Sequence, residues 1–162
     1  MRKEYCYDYP RPALTVDIVV FRNMRGHTEV LLIRREKDPY EGRWAFPGGY
    51  VEEMEALETA AARELAEETG LRDLSLEQIG AFGAPGRDPR GHTVSVAFAG
   101  RLETDQEIRA SDDAADARWF ALGDIPDLAF DHNEMLAFAT RVMLHEDESG
   151  DSGRAGGPKT LH

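Results

Sequence analysis

Residues 49 to 71 read GYVEEMEALETAAARELAEETGL, and this segment constrains the chain more than any other. Ala56, Ala60, Ala61, Ala62 and Ala66 are strong helix formers. Gly70 stands where a left-handed cap ends a helix. The segment therefore predicts a helix from about Glu55 to Thr69. Leu57, Ala61 and Leu65 recur every four residues and form its apolar stripe. Glu64, Glu67 and Glu68 then fall at i, i+3 and i+4, on one face. Three carboxylates so placed repel one another unless a divalent cation sits between them. Hard oxygen donors suit Mg²⁺, with Mn²⁺ as a substitute. The plain alternative is a solvated acidic face. Pro47-Gly48-Gly49 in front and Gly70 behind favour the more specific reading.

With 162 residues the chain is long enough for one domain with a proper core. Its formal charge of −12, with arginines spread along the sequence, argues against a nucleic-acid partner. A small anionic substrate remains compatible, because a bound cation inverts the local potential. The single cysteine, Cys6, forms no internal disulfide and fits a reducing cytoplasm. No apolar run has the length of a membrane span, and the N-terminus lacks an apolar signal-peptide region.

Ala13 to Phe21 is rich in β-branched residues and reads as a buried strand. A turn around Gly26 leads to a second strand, Glu29 to Arg34, giving a hairpin. A polar loop and a short extended piece, Arg43 to Phe46, precede the glycines. Beyond the helix, strands are predicted within Leu74 to Phe82, over His92 to Leu102 and over Ala117 to Ala121. Leu128 to Leu144 ends in an amphipathic helix. Trp44, Phe46, Trp119 and Phe120 are expected in the core. The expected domain spans residues 1–145, and the Gly/Ser-rich 146–162 reads as a disordered tail. Strands on both sides of a central helix imply an α/β sandwich around a mixed sheet.

Gly49, Glu55, Arg63-Glu64-Leu65, Glu67-Glu68 and Gly70-Leu71 match the signature of the Nudix hydrolases at nine specified positions across 23 residues. The chain resembles that family, and the flanking strands extend the resemblance over about residues 13 to 144. The resemblance implies a Nudix-type α/β/α sandwich. It implies Glu64, Glu67, Glu68 and the Gly49 carbonyl as metal ligands, with Glu55 and Arg63 as a supporting pair. The implied reaction is hydrolysis of a nucleoside diphosphate linked to another moiety.

Pro85, fifteen residues after Gly70, and the run RDPRGHTVSVAF resemble bacterial ADP-ribose pyrophosphatases. FDHNEML and the opening YPRPALTVDIVVF share that likeness. Arg87 and Arg90 are candidates to hold phosphate or ribose oxygens; pairing with Asp88 is the alternative. Tyr50 is a candidate to stack on a base, or to pack. Asp112 and Asp113, and more weakly Glu103 and Glu107, are candidate general bases. Glu52 is a candidate further metal ligand, with plain surface as its alternative. His92 reads as structural. His132 is a candidate to face the site, although helix capping by Asp131 is the simpler local account.

The expected function is Mg²⁺-dependent hydrolysis of ADP-ribose to AMP and ribose 5-phosphate by a cytoplasmic enzyme. A nucleoside triphosphate pyrophosphohydrolase is the enzymatic alternative. An ADP-ribose sensor without turnover is the alternative of another class. Such sensors join this domain to a DNA-binding module, for which the residues after the last helix leave no room. A homodimer is compatible with the sequence.

Overall fold

β1 (Ala13–Met24) is the spine of the molecule, and its residues Thr15 to Phe21 are buried on both faces. Val16, Ile18 and Val20 point to one side of the sheet, where α1 (Leu57–Thr69) packs through Ala60, Ala61 and Leu65. Val19 and Phe21 point to the other, where α2 (His132–His145) packs through Met135 and Ala139. A strand covered on both faces reads as a continuous apolar run, which is why residues 13–21 lack polar alternation. Thr15 and Asp17 are the buried polar exceptions, and Asp17 lies on the α2 side of the strand.

The computed structural model describes residues 4–110 and 114–145. Among them, β2 (His27–Arg35), β3 (Trp44–Ala45), β4 (Gly48–Tyr50), β5 (Glu77–Phe82), β6 (Thr93–Leu102) and β7 (Ala114–Ala121) complete a seven-stranded sheet. β1 runs parallel to β6 from Ala13 to Arg22, and the remaining pairings are antiparallel. The mixed sheet between two helices is the α/β sandwich expected of the sequence. Arg25 and Gly26, both at positive φ, close the β1–β2 hairpin in the manner of a type I′ turn.

The hairpin does not stay closed along its length. β1 pairs with β2 only at Phe21–Met24, and farther back it pairs with β4 at Thr15–Asp17. β2 in turn pairs with β3 at Ile33 and Arg34. The two strands splay, and residues 44–50 fill the wedge between them. The Ile18 amide donates to the Pro47 carbonyl at 2.8 Å inside that wedge.

Several boundaries differ from expectation for physical reasons. α1 starts at Leu57, because Glu55 closes a turn with Glu52 instead of joining the helix. Leu57 is only partly covered, so the buried stripe is Ala60, Ala61, Leu65 and Thr69. Gly70 ends α1 in the left-handed conformation at φ 78°, its amide donating to Ala66. β7 begins at Ala114, ahead of the expected Ala117, because its edge pairs with β2 as far as Arg35. Phe46 is buried, whereas Trp44, Trp119 and Phe120 are only partly covered. The proposed tail, 146–162, lies outside the described residues.

Leu65 is 2% exposed between α1 and the sheet. Leu65→Ala should lower unfolding stability by about 2–5 kcal/mol. Denaturant titration checks this as a lower midpoint at unchanged slope.

Candidate active site

The wedge places Gly48 and Gly49 directly beneath the acidic face of α1. Gly48 is sterically required, and Gly49 is crowded by the Glu64 carboxylate. A Cβ on Gly48 would lie 2.2 Å from the Val16 carbonyl oxygen, and one on Gly49 would lie 2.4 Å from Glu64 Oε1. The Gly48 contact is with backbone and cannot be relieved, whereas the Gly49 contact is with the movable end of the Glu64 side chain. The close approach of backbone to carboxylate is therefore written into the two glycines.

Arg63 organises this face. Its Nε and Nη2 donate to the two oxygens of Glu55 at 2.7 and 2.9 Å, a bidentate pair. Its Nη1 reaches Glu64 at 2.8 Å and Glu67 at 3.3 Å, and Nη2 also donates to the Tyr50 carbonyl at 3.1 Å. Glu55 additionally accepts from the Glu52 amide at 2.8 Å. The hydrogen bonds from Arg63, with help from Glu52, hold the Glu55 carboxyl down at about 2. One guanidinium thus ties the loop before α1 to the carboxylates on it.

Glu68 has different surroundings. Its Oε2 accepts from the Gly48 amide at 2.9 Å. Burial, with Glu64 and Asp17 nearby, pushes its pKa up to about 8, despite the opposing Gly48 hydrogen bond and Arg35 charge. Burial also raises Glu64, against the pull of Arg63. Glu67 is open to solvent, with 60% of its side chain exposed. The three carboxylates share one face but do not converge: Glu64 and Glu67 turn to Arg63, and Glu68 to Gly48. Among the described residues no group of three or more acidic, His or Cys side chains is gathered tightly enough to hold a cation as it stands.

Beside Gly48 and Gly49 opens a cleft of about 180 Å³ between Asp17, Arg35, Tyr50, Arg90 and His132. A larger hollow of about 390 Å³, near Leu74, Gly100 and Glu103, touches none of these groups. The cleft sorts the arginines. Arg87 is 4% exposed and grips Asp131 through Nε at 2.8 Å and Nη2 at 2.5 Å. Its partner is thus Asp131 and not Asp88. Arg90 takes Asp88, at 3.0 and 2.7 Å, and keeps 40% of its side chain exposed. The Arg90 guanidinium stands 5.4 Å from the Tyr50 ring, which is half-exposed.

Arg35 escaped the sequence reading. At the end of β2 it donates to the carbonyls of Pro39 at 2.7 Å and Lys37 at 3.4 Å. Among the described residues no carboxylate lies within ion-pair distance of it. Burial and the charge of Arg90 lower its pKa. An arginine on a strand end carries no local signal; only the splayed sheet brings it to the cleft.

Other candidates are placed as follows. Asp112 and Asp113 lie outside the described residues. Glu107 pairs with Arg109 in solvent, and Glu103 lines the distant hollow. Glu52 is exposed. His92 Nε2 lies 3.3 Å from the Gly83 carbonyl. His132 is buried and lines the cleft. Asp131 does not cap α2 with its side chain, which is committed to Arg87; its backbone carbonyl instead accepts from Glu134 and Met135. No helix among the described residues is long and apolar enough to cross a membrane.

Comparison with known proteins bears on the family and the fold. The chain is 40% identical over 129 residues to an ADP-ribose pyrophosphatase of Methanocaldococcus jannaschii, covering 79% of this chain and 73% of that one. It is 37% identical over 138 residues to the ADPR responsive transcriptional repressor NtrR of Acinetobacter baylyi, covering 82% of this chain and 55% of the repressor. The chain thus spans about half the length of that repressor. Among solved structures, the NUDIX domain of Shewanella oneidensis NrtR complexed with ADP ribose superposes with a TM-score of 0.79 at 32% identity, covering 85% of this chain and 94% of that one. The NUDIX domain family matches residues 11–139, and the chain therefore belongs to the NUDIX family as a Nudix hydrolase.

Proposed function

We propose that the protein hydrolyses ADP-ribose to AMP and ribose 5-phosphate, with Mg²⁺ as its cation and Mn²⁺ as a substitute. The observation that carries this reading is the acidic face of α1 held against Gly48-Gly49 at the edge of a cleft containing Arg35. The 40% identity to an ADP-ribose pyrophosphatase supports the choice of substrate.

The donor set suits a hard divalent cation. Glu64, Glu67, Glu68 and the Gly49 carbonyl offer oxygen throughout. Glu68, with its pKa pushed to about 8, ionises at neutral pH only if positive charge compensates it. A cation held by these groups supplies charge against the pyrophosphate oxygens and lowers the pKa of water. Arg63 and Glu55 keep the acidic face and the preceding loop in register. Arg35 offers a guanidinium to phosphate oxygens, and Arg90 offers its exposed edge. Arg87, buried against Asp131, shapes the cleft wall. Tyr50 presents a half-exposed ring for stacking on a base. Asp112 and Asp113, just before Ala114 in the sequence, are the candidates for general base.

A second reading has a specific observation behind it. The likeness to a repressor responsive to ADPR favours an ADP-ribose sensor. The complete set of carboxylates on α1 favours turnover, because binding alone does not require it. The chain's charge of −12 disfavours direct contact with nucleic acid.

A panel of ADP-ribose, NADH, dinucleoside polyphosphates and dNTPs with Mg²⁺, read by product chromatography, should show AMP released from ADP-ribose. Hydrolysis of dNTPs without turnover of ADP-ribose would overturn the substrate. Tight ADP-ribose binding without product would establish the sensor. Glu67→Gln and Glu68→Gln should each lower kcat on the order of 1000-fold with the fold intact by circular dichroism.

The raised pKa of Glu68 has a signature in the chelated protein. Below the unfolded value of 4.5 both states are protonated and no penalty exists. As pH rises from 4.5 towards about 8 the unfolded state ionises more readily, so stability falls. Thermal melts in a chelator should show Tm declining across that window, with a shallower decline in Glu68→Gln.

A further inference from the structure

We infer that the adjacent residues Asp131 and His132, at the N-terminal end of α2, act as a two-armed positioning clasp for the catalytic turn and the cleft wall. The inference rests on the hydrolase reading above and adds to it a division of labour between two neighbouring residues.

The first arm is His132. Its ring is 2% exposed. Nδ1 accepts from the Phe46 amide at 3.1 Å, which leaves the ring proton on Nε2. Nε2 lies 3.4 Å from Asp17 Oδ1, and the other Asp17 oxygen accepts from Ser95 Oγ. The ring also stacks on Phe46, with centroids 5.1 Å apart at 24°. Phe46 leads straight into Pro47-Gly48-Gly49. The turn is therefore held from three directions: by His132 at Phe46, by Ile18 at Pro47 and by Glu68 at Gly48. His132 is the hold that comes from outside β1 and the acidic helix.

The second arm is Asp131. Its carboxylate receives both Nε and Nη2 of Arg87, whose side chain is 4% exposed. A buried bidentate pair fixes direction as well as distance. Arg87 belongs to the 83–91 loop, and its neighbour Asp88 in turn holds Arg90 beside Tyr50. One arm thus sets the turn beneath the carboxylates, and the other sets the wall carrying Arg90. Asp131 and His132 share a backbone, so the two walls of the cleft are referenced to a single helix end.

This arrangement predicts a split that general destabilisation would not produce. Asp131→Asn removes charge at constant shape and releases the Arg87 loop. KM for ADP-ribose should rise about ten-fold with kcat little changed. His132→Leu removes the acceptor for the Phe46 amide and releases the turn. Here kcat should fall ~10- to 100-fold with KM little changed, as expected for slight misplacement of reacting groups. His132→Asn places an amide oxygen near the Nδ1 position and should restore most of kcat.

Hydrogen exchange read by mass spectrometry supplies a readout free of turnover. Exchange should rise in residues 44–50 for His132→Leu and in 83–91 for Asp131→Asn, each without the other. Mn²⁺ titration should show weaker binding for His132→Leu and unchanged binding for Asp131→Asn. If the wild type turns over none of the substrates, the hydrolase reading fails, while the exchange and Mn²⁺ patterns still decide the clasp. Equal effects of both variants on both segments, or on kcat and KM alike, would overturn it. If His132→Leu does not fold, the Asp131→Asn arm decides: a fall in kcat matching the rise in KM would overturn the inference.

Discussion

The structure turns on the contact between the Gly48 amide and the Glu68 carboxylate, 2.9 Å long and partly buried. A carboxylate there faces burial on one side and the charges of Glu64 and Asp17 on the others. It is tolerable as an anion only with positive charge nearby. The glycines let the backbone come close enough to donate to it, since a side chain at either position would collide with Val16 or Glu64. Steric necessity and electrostatic need thus meet at one turn, and that turn is where the chemistry of the family is expected.

The turn exists because the sheet cannot close. β1 gives one edge wholly to β6 and divides the other between β2 and β4. Residues 44–50 occupy the resulting wedge, between α1 on one side and the start of α2 on the other. The alternation along β1 then assigns Val16, Ile18 and Val20 to the α1 core and Asp17 to the cleft side. Asp17, which with Thr15 is one of two buried polar residues in this apolar strand, becomes the point where Ser95 and His132 meet.

Much of this was legible in the sequence, for identifiable reasons. The acidic face of α1, the Arg63–Glu55 proximity and the Gly70 cap are local or fixed by short spacing, so periodicity and motif disclosed them. The hairpin and the two-faced β1 announced themselves through β-branched runs. Trp44–Ala45 falls within the extended piece expected at Arg43 to Phe46, but the strand Gly48–Tyr50 was not legible, because three residues with two glycines carry no period. Arg87 to Asp131 spans 44 residues and Phe46 to His132 spans 86, so no local pattern could pair them. Arg35 reached the cleft through the splay of the sheet. Reading Asp131 as a cap followed the local rule, and a buried distant arginine overrode it.

On the proposed function, a divalent cation binds the α1 face by displacing a proton from Glu68. Calorimetric titration of Mn²⁺ into the substrate-free protein at pH 7, in two buffers of different ionisation enthalpy, tests it directly. Binding should release about one proton per event, seen as a buffer-dependent enthalpy that disappears in Glu68→Gln. Absence of binding, or a proton release that survives in Glu68→Gln, would contradict it.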